Sequence, residues 1–422
     1  MVPKGWELTT FEKHIDLLSG FAFKSAEYSN NEDDIRLLRG DNIAPGSLRW
    51  RDAKRWHLDD SEILQKYYLK ANDFVIAMDR TWVSAGLKVA EVKESDLPCL
   101  LVQRVSRIRA LETLEQSLLK QYFSAHKFEQ YVKSVQTETA VPHISAKQIK
   151  DFPFLLPPLP EQQKIAKILS TWDKAISTTE RLIDNSKQQK KALMQQLLTG
   201  KKRLLDDSGK PFEGEWEDLY LHDVAKIIVS PVDKKIVDGE IPVELCNYTD
   251  VYYNTRITNS IEFMKATAKK SEIDKYTLQV NDVIITKDSE TPGDIAVPAL
   301  VSEDLGGTVC GYHLAIVRPN SQLVEGAYLN YLFSMQKTRY YFFTLATGAT
   351  RFGLSIGGIN KAHFTLPPLE EQRRIAAVLT NSDREVELLE QQLADLKQEK
   401  KALMQQLLTG KRRVKVDEEA MA

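Results

Sequence analysis

One segment of 46 residues occurs twice in this chain. Residues 156–201 read LPPLPEQQKIAKILSTWDKAISTTERLIDNSKQQKKALMQQLLTGK, and residues 366–411 read LPPLEEQRRIAAVLTNSDREVELLEQQLADLKQEKKALMQQLLTGK. The two copies align without a gap at an offset of 210 residues and are identical at 25 of 46 positions. Solenoid repeats have periods of roughly 20–50 residues, so this long offset indicates duplication of half a molecule. The sequence therefore predicts two related halves with pseudo-twofold character.

Each copy has the pattern of one long helix with a coiled-coil stripe. Leu-Pro-Pro-Leu predicts an extended lead-in, because proline lacks an amide hydrogen and restricts the residue before it. Helices are expected to start near Glu161 and Glu371 and to end at the two LLTG segments, where glycine favours a left-handed end. Between these limits, mainly apolar residues recur at alternating steps of four and three positions, which is the period of a coiled-coil seam. The seam positions are 165, 169, 172, 176, 179, 183, 186, 190, 193 and 197, and in the second copy 375, 379, 382, 386, 389, 393, 396, 400, 403 and 407.

Matching stripes favour packing of the two helices against each other in antiparallel orientation. The alternative is that each helix packs only on its own domain. The identical tails KKALMQQLLTGK, at 190–201 and 400–411, suggest a further requirement. Packing alone tolerates many residue choices, so identical lysines and glutamines indicate two identical outside partners.

The segments before the helices repeat more faintly. Asn72-Asp73 and Asn281-Asp282 each precede a short apolar run, which predicts a turn that leads into a buried strand. Residues 118–132 and 328–343 have the pattern of amphipathic, aromatic-rich helices. The fold class is therefore α+β, with two mixed α/β globular domains separated by two long helices in an antiparallel coiled coil.

Composition predicts a cytoplasmic protein without a metal site. Hydrophobic content is 42% and charged content 27%, and no apolar run approaches the ~18–20 residues of a membrane span. The three cysteines form no CxxC pair, and the seven histidines show no metal-ligand spacing.

Charge is unevenly distributed along the chain. Residues 161–203 contain ten Lys and Arg against four Asp and Glu, and residues 371–413 contain nine against seven. With a total of −2, the rest of the chain carries −10. A protein that binds DNA unaided usually has a strongly basic face. If this chain binds DNA, much of the electrostatic attraction is therefore expected from a partner.

The order of these segments resembles the specificity subunit of type I restriction–modification enzymes. The resemblance covers essentially the whole chain and depends on LPPLPEQQKIAKIL, LPPLEEQRRIAAVL and the repeated tails. It implies a first target recognition domain at 1–155, a first conserved helical region at 156–205, a second target recognition domain at 206–365, and a second helical region with a tail at 366–422. It also implies a bipartite double-stranded DNA target, with one half-site for each recognition domain.

The same resemblance implies partners for this chain. Its helices would bind two methyltransferase subunits, restriction–translocase subunits would complete the enzyme, and the separation of the half-sites would follow from the length of the helices. An orphan DNA-binding or coiled-coil scaffold protein without an associated methyltransferase is the alternative.

No catalytic site and no cofactor are expected in the chain itself. LLTGKK and LLTGKR lack the upstream glycine and the Ser/Thr of a phosphate-binding loop. Neither Pro-Pro pair is flanked by the residues that an amino-methyltransferase motif requires. Asp79 with Glu91 and Lys93 imitates a metal-dependent nuclease, but this spacing arises readily by chance and has no counterpart in the second half.

DNA reading requires polar and basic side chains on loops or helix ends. We expect these residues near the strands that follow the two Asn-Asp pairs and in the segment ATRFGLS. The candidates are Arg39, Asn42, Arg80, Thr81, Trp82, Ser84, Arg104 and Lys147 in the first half, and Lys287, Ser289, Thr291, Thr350 and Arg351 in the second.

Overall fold

Two compact units are present in the computed structural model, which describes residues 2–57, 62–137 and 140–416. Unit 1 comprises Met1–Glu180 and Gln391–Ala422, and unit 2 comprises Arg181–Glu390. The predicted second helical region extends to residue 422, and its part beyond 416 lies outside the described residues. In that description no helix is long and apolar enough to cross a membrane.

The first half of the chain contains short strands and helices followed by one long helix. The strands are β1 (Glu7–Thr10), β2 (Ile15–Ser19), β3 (Ile35–Leu38), β4 (Ile43–Ala44), β5 (Ser47–Leu48), β6 (Arg55–Trp56), β7 (Phe74–Ala77), β8 (Trp82–Val83), β9 (Gly86–Leu87), β10 (Val89–Glu91), β11 (Cys99–Leu101), β12 (Val105–Ala110) and β13 (Pro153–Leu156). The helices are α1 (Glu62–Gln65), α2 (Gln116–Phe123), α3 (His126–Val135), α4 (Ala146–Lys150) and α5 (Leu159–Leu197).

The second half repeats this organisation. Its strands are β14 (Glu217–Tyr220), β15 (Ala225–Val229), β16 (Ile241–Cys246), β17 (Arg256–Ile257), β18 (Met264–Ala268), β19 (Val283–Thr286), β20 (Asp288–Ser289), β21 (Pro298–Val301), β22 (Val309–Cys310), β23 (Leu314–Pro319), β24 (Phe352–Gly353) and β25 (His363–Leu366). Its helices are α6 (Leu221–Val224), α7 (Tyr248–Tyr253), α8 (Lys270–Tyr276), α9 (Gly326–Ser334), α10 (Gln336–Leu345), α11 (Ile356–Asn360) and α12 (Leu369–Leu407).

The sheets of the two units follow the same order. Unit 1 has a four-stranded sheet β10-β7-β12-β2 and a three-stranded sheet β11-β3-β6. Unit 2 has the corresponding sheets β17-β21-β19-β23-β15, with β17 as an added edge strand, and β22-β16-β18. We refer to β7 in unit 1 and β19 in unit 2 as the central strands. Both are fully buried, which explains their mainly apolar sequences, FVIA and VIIT. The prediction of two related mixed α/β halves is confirmed.

The paired Asn-Asp residues form the turn before each central strand. Asn72 and Asn281 have φ of 69° and 78°, in the left-handed region that asparagine tolerates better than most residues. Asp73 is buried and binds Arg109, while Asp282 accepts from Arg318 Nε at 2.8 Å and Nη2 at 2.7 Å. The repeated motif therefore fixes the entry into the central strand and anchors it to the neighbouring strand.

The Glu-Gln pair of each long helix ties the helix start to the domain. Gln162 and Gln372 are almost fully buried, and each donates to two backbone carbonyls, those of Thr113 and Pro157 and those of Leu323 and Pro367. Each also accepts a backbone N–H through Oε1, from Glu115 at 2.8 Å and from Glu325 at 3.0 Å. The conserved glutamine in the two copies is therefore a structural anchor.

The preceding glutamates bind arginines from the end of the other helical region. Glu371 is fully buried and accepts from Arg203 Nε and Nη2, both at 2.7 Å, within unit 2. Glu161 accepts from Arg413 Nε at 2.9 Å within unit 1, and this contact raises the pKa of the Arg413 guanidinium. Glu371 lies 210 residues after Glu161, and Arg413 lies 210 residues after Arg203, so the two ion pairs are equivalent in the repeat.

Both long helices start two residues earlier than the positions predicted from the sequence. They begin at Leu159 and Leu369, and Pro160 lies in the first turn of α5. Because the first amides of a helix have no intrahelical partner, proline is tolerated there. Gly200 and Gly410 have φ of 68° and 66°, as expected for left-handed residues beyond a helix end.

The predicted seam is confirmed, since all twenty positions are buried or half-buried. Antiparallel packing is visible in each unit through ion pairs between the helices. Lys400 binds Asp173 at 2.7 Å in unit 1, and Lys190 binds Asp383 in unit 2. These pairs explain the lysines at an otherwise mainly apolar seam, because each ammonium group reaches a carboxylate of the neighbouring helix.

One sequence prediction needs correction at the aromatic-rich segments. Residues 118–132 and 328–343 are not continuous helices but fall in two helix pairs, α2 with α3 and α9 with α10. Ala125 and Met335 interrupt them with extended backbone, ψ being 141° and 140°. The break folds the second helix of each pair back so that Phe123 and Phe128, and likewise Phe333 and Phe342, enter the same core.

Candidate nucleic-acid interface

A half-exposed carboxylate marks the end of the central strand in unit 1. Asp79 follows β7 by two residues, and its Oδ1 lies 2.7 Å from His143 Nδ1. Its Oδ2 lies 3.7 Å from Arg104 Nε, and the Arg104 side chain is largely exposed. His143 comes from the segment before α4, and Arg104 from the turn before β12. Three separate chain segments therefore meet at one carboxylate.

An aspartate occupies the same place in unit 2. Asp288 binds His313, and its carboxylate lies 3.1 Å from Lys287 Nζ and 3.2 Å from Arg351 Nε. Arg351 comes from the segment before α11, and His313 from the turn before β23. The chain segments are equivalent to those around Asp79, but the side chains differ.

Strand register establishes this equivalence. Ala77, two residues before Asp79, pairs with Val105 in unit 1. In the same way Thr286, two residues before Asp288, pairs with Leu314 in unit 2. Arg104 and His313, which precede the paired strands, have φ of 68° and 73°. Non-glycine residues rarely adopt this conformation, so the shared turn geometry indicates a common local structure.

The loop around Asp79 carries further basic side chains. Arg80 is exposed with φ of 47°, and Ser84 is exposed in the turn between β8 and β9. Burial lowers the pKa of the Lys88 ammonium; Arg80 acts in the same direction, whereas Asp41 and Asp79 oppose the shift. Lys88 was not singled out by the sequence analysis, because only the strand pairing brings it back to this loop.

The loop that precedes β4 lies beside the same strand end. Arg39 Nη2 lies 3.5 Å from Asp41, and Gly40 adjoins Ala77. Asn42 is buried, where its Oδ1 accepts from the Arg39 amide at 3.0 Å and its Nδ2 donates to the Arg49 carbonyl. Arg39 is therefore at the surface, whereas Asn42 holds the loop and is not presented to a ligand.

Thr81 and Trp82, which were predicted to contact DNA, are both held by contacts within unit 1, although Trp82 remains 37% exposed. Thr81 is fully buried, and its hydroxyl donates to the Ala77 carbonyl at 2.7 Å. Trp82 packs against α3, since its Nε1 donates to Glu129 at 3.1 Å and Lys133 Nζ lies 4.2 Å from the ring centroid. The prediction that Thr81 reads DNA is not supported, because its hydroxyl closes the loop.

Lys147 is not brought to the Asp79 carboxylate. It lies on α4, is 83% exposed and pairs with Asp151 at 2.9 Å. That contact raises the pKa of the Lys147 ammonium, chiefly through its hydrogen bond with Asp151.

The second-half candidates cluster around Asp288. Ser289 is mostly buried and accepts a hydrogen bond from the Tyr248 hydroxyl at 3.2 Å, while Thr291 is exposed in the same loop. Thr350 is exposed beside Arg351. The sequence analysis missed Tyr248 and His313. An alignment of the halves at the Asn-Asp offset of 209 would have placed His313 opposite Arg104.

The nuclease-like constellation does not assemble. Glu91 pairs with Phe74 across β10 and β7, at the end of the strand opposite Asp79, and its carboxylate binds Lys120 at 2.7 Å. Within the described ranges, no group of three or more His, Cys, Asp or Glu residues could hold a metal ion.

The long helices present a second repeated surface. Lys191, Ala192, Gln195 and Gln196 are exposed on α5, and so are the identical residues of α12, Lys401, Ala402, Gln405 and Gln406. Spacing of four residues places these side chains on one face of each helix. This repeated helix face is defined by those eight residues.

Two copies of one domain family account for most of the chain. A family model for the type I restriction modification DNA specificity domain matches residues 3–186 and 213–398. The chain belongs to the type I restriction–modification specificity subunit family.

Relatives within this family differ in how much of their length the chain covers. The EcoAI specificity subunit of Escherichia coli is 36% identical over 184 residues, which are 43% of this chain and 30% of that protein. The MjaVIII specificity subunit of Methanocaldococcus jannaschii is 28% identical over 204 residues, 48% of each chain. The Escherichia coli EcoBI specificity subunit is 24% identical over 403 residues, 89% of this chain and 78% of that protein. The chain thus spans less than half the length of the first two specificity subunits.

Solved structures share the fold. The S subunit of the type I restriction-modification system from M. genitalium matches with a TM-score of 0.58 at 12% identity, over 96% of each chain. A chain solved in work on complex assembly and conformational transition of the type I R-M system matches with a TM-score of 0.56 at 18% identity, over 97% of this chain and 98% of that one.

Proposed function

We propose that this chain gives a type I restriction–modification complex its DNA sequence specificity. Each unit reads one half of a bipartite double-stranded target, and the chain itself carries out no catalytic step. The observation that carries this proposal is the pair of equivalent carboxylate-centred clusters, Asp79 and Asp288, in a chain with two copies of the DNA specificity domain. The same scaffold with different side chains is what two different half-sites require.

The chemistry of these clusters suits recognition. The basic side chains supply donors for phosphates and for guanine O6 and N7; they are Arg80, Arg104, Lys287 and Arg351. Serine and threonine hydroxyls can contact donors or acceptors on the base edges. Phosphate contacts fix the register and base-edge contacts give the sequence preference. The globular parts, 1–155 and 206–365, serve as the two target recognition domains, and 156–205 and 366–422 as the helical regions.

Two methyltransferase subunits are the partners of the repeated helix face, and restriction–translocase subunits complete the enzyme in the cytoplasm. The support is the identity of exposed residues in both helices, such as Gln195 and Gln405, where no packing constraint requires it. These partners also supply the positive charge that the chain lacks, since its net charge is −2.

Methylation mapping combined with a domain exchange tests the proposal. The chain is co-expressed with its methyltransferase in a host free of other modification systems, and methylated sites are read by long-read sequencing. We expect one bipartite motif, and replacement of residues 1–155 by those of another specificity subunit should change one half-site alone. Absence of any motif, or a change in both half-sites, would contradict the proposal. Absence of a bound methyltransferase would favour an orphan binding protein.

A further inference from the structure

We propose that Asp79 and Asp288 are positioning residues that hold basic side chains in the orientation required to read DNA. Each carboxylate would act through its neighbours and would not itself contact a base. This inference rests on the proposed function, because it assigns a role within the surfaces that read the two half-sites.

The aspartate is shared by the two units, whereas the side chain at the equivalent position beside it differs: the turn before the paired strand supplies Arg104 in unit 1 and His313 in unit 2. Asp79 and Asp288 occupy the same position relative to the central strand, as the paired registers of β7 and β19 establish. Around Asp79 the partners are Arg104 and His143, and around Asp288 they are Lys287, His313 and Arg351. A common anchor with variable partners fits two domains that read different sequences from one scaffold.

The second argument is electrostatic. A carboxylate on a surface that approaches DNA repels phosphates, so its presence in both units requires a compensating effect. Arginine and lysine lose considerable rotamer freedom when they bind, and a side chain already held by a carboxylate loses less at that moment. Fixing the guanidinium plane also restricts which donors can point toward a base edge, which raises discrimination between bases.

Among the described residues, the groups around the Asp79 carboxylate fit this arrangement. His143 and Arg104 contact it directly, Lys88 interacts with it electrostatically, and Asp41 belongs to the adjacent loop and pairs with Arg39. The Arg104 contact, at 3.7 Å with a largely exposed side chain, is a weak surface ion pair that contributes little to folding. The Arg104 guanidinium therefore stays at the surface beside the carboxylate, where DNA can reach it.

Asp288 is the more enclosed of the two, with 9% of its side chain exposed against 35% for Asp79. It is also linked through the backbone, since β20 pairs with β24 and Asp288 lies opposite Gly353. Arg351 lies just before β24, and about half of its side chain is exposed. Its Nε contacts Asp288, while the exposed part of the side chain can reach outward.

The test uses the full chain in complex with its methyltransferase. Once the bipartite motif is mapped, binding is measured to duplexes that carry both half-sites, either half-site scrambled, or both scrambled. The variants Asp79→Asn and Asp288→Asn keep the side-chain shape but remove the charge. Because each affects one unit, each serves as the control for the other.

We expect discrimination to fall without a loss of non-specific affinity. Asp79→Asn should reduce discrimination at one half-site by about tenfold, the size of one well-placed base contact, and leave the other half-site unaffected. Asp288→Asn should do the reciprocal. Affinity for the fully scrambled duplex should stay the same or rise, because a negative charge near the phosphates is removed.

A purely structural role gives a different result. If the carboxylate only stabilised the fold, both specific and non-specific binding would fall together with the melting temperature. If it were an ordinary surface charge near DNA, non-specific affinity would rise with discrimination unchanged. The control Glu94→Gln, which lies beyond the end of β10 away from Asp79, should change neither quantity. Either result would overturn the inference.

A double-mutant cycle separates positioning from direct readout. In a background of Arg104→Ala with His143→Ala, Asp79→Asn should cause no further loss of discrimination, since the residues it orients are gone. A further tenfold loss in that background would mean that Asp79 contacts a base itself and would overturn the positioning role. Failure of the wild-type complex to distinguish any scrambled half-site would instead contradict the proposed function.

Discussion

A buried carboxylate at the start of each long helix holds an arginine that is distant along the chain. Glu371 is fully buried, and both of its oxygens accept from Arg203; Glu161 has the same relation to Arg413. The Arg413 guanidinium also donates to the Lys4 carbonyl at 2.9 Å, and that of Arg203 to the Gly214 carbonyl at 3.2 Å. Each arginine therefore joins a helix end, a helix start and the beginning of a globular segment.

Loss of one partner should be costly because the remaining charge stays buried. We expect Glu371→Gln to lower the free energy of unfolding by about 2 kcal/mol, below the ~3–5 kcal/mol of a fully buried pair because Arg203 is partly exposed. Urea denaturation measures the change. Glu370→Gln is the matched control, since its side chain is 72% exposed and should leave the midpoint unchanged. Equal midpoints for the two variants would show that the pair is not stabilising.

At the scale of elements, the long helices could be predicted well and the loops could not. The seam positions follow from the periodicity of the sequence, and they are confirmed even where the residue is a lysine, at Lys190 and Lys400. Their partners, Asp383 and Asp173, could not be assigned because the antiparallel register depends on tertiary structure. The loops around Asp79 and Asp288 are positioned by contacts between separate segments of the chain. Proximity in the sequence therefore suggested Thr81, which is buried, and missed the histidines that bind the aspartates.

The repeated helix face gives a prediction about partner number. In Lys191→Glu with Gln195→Ala, charge reversal and loss of an amide should remove one of two bound methyltransferase copies. The equivalent changes at Lys401 and Gln405 should remove the other, and the combined variant should bind none. Native mass spectrometry of co-expressed complexes counts the copies.

The control for that experiment comes from the chain itself. Gln189→Glu introduces on α5 the residue that α12 carries at the equivalent position, Glu399, so it should keep both copies bound. Retention of two copies by the first double variant would show that the partners dock elsewhere.

At the scale of the whole molecule, unit 1 is built from two separate stretches of chain and unit 2 from one continuous stretch, but each core draws on both long helices. The core of unit 1 combines Ile165 and Leu169 of α5 with Leu407 and Leu408 of α12, and the core of unit 2 combines Leu197 and Leu198 with Ile375 and Leu379. Each long helix of 39 residues therefore contributes its start to one core and its end to the other.

Paired deletions test whether the helices set the spacer of the DNA target. Ion pairs within unit 1 place residues 174–180 opposite 393–399, so removal of both heptads keeps the seam in register. Seven residues correspond to about 10 Å of helix, and we expect a spacer shorter by about three base pairs with unchanged half-sites. Methylation mapping reads both quantities. Altered half-sites with the original spacer would contradict the idea that the helices act as a ruler.

The division of each core between distant segments has a consequence for synthesis on the ribosome. Unit 2 has all of its chain once Glu390 has emerged, whereas unit 1 still lacks Met404, Leu407 and Leu408 from its core. Although it begins at the N-terminus, unit 1 is therefore the one that must wait, with apolar surface uncovered, until α12 is complete. The nascent chain has its greatest need of chaperone protection in that interval, and a stalled or truncated product would expose the unfinished first unit beside a finished second one.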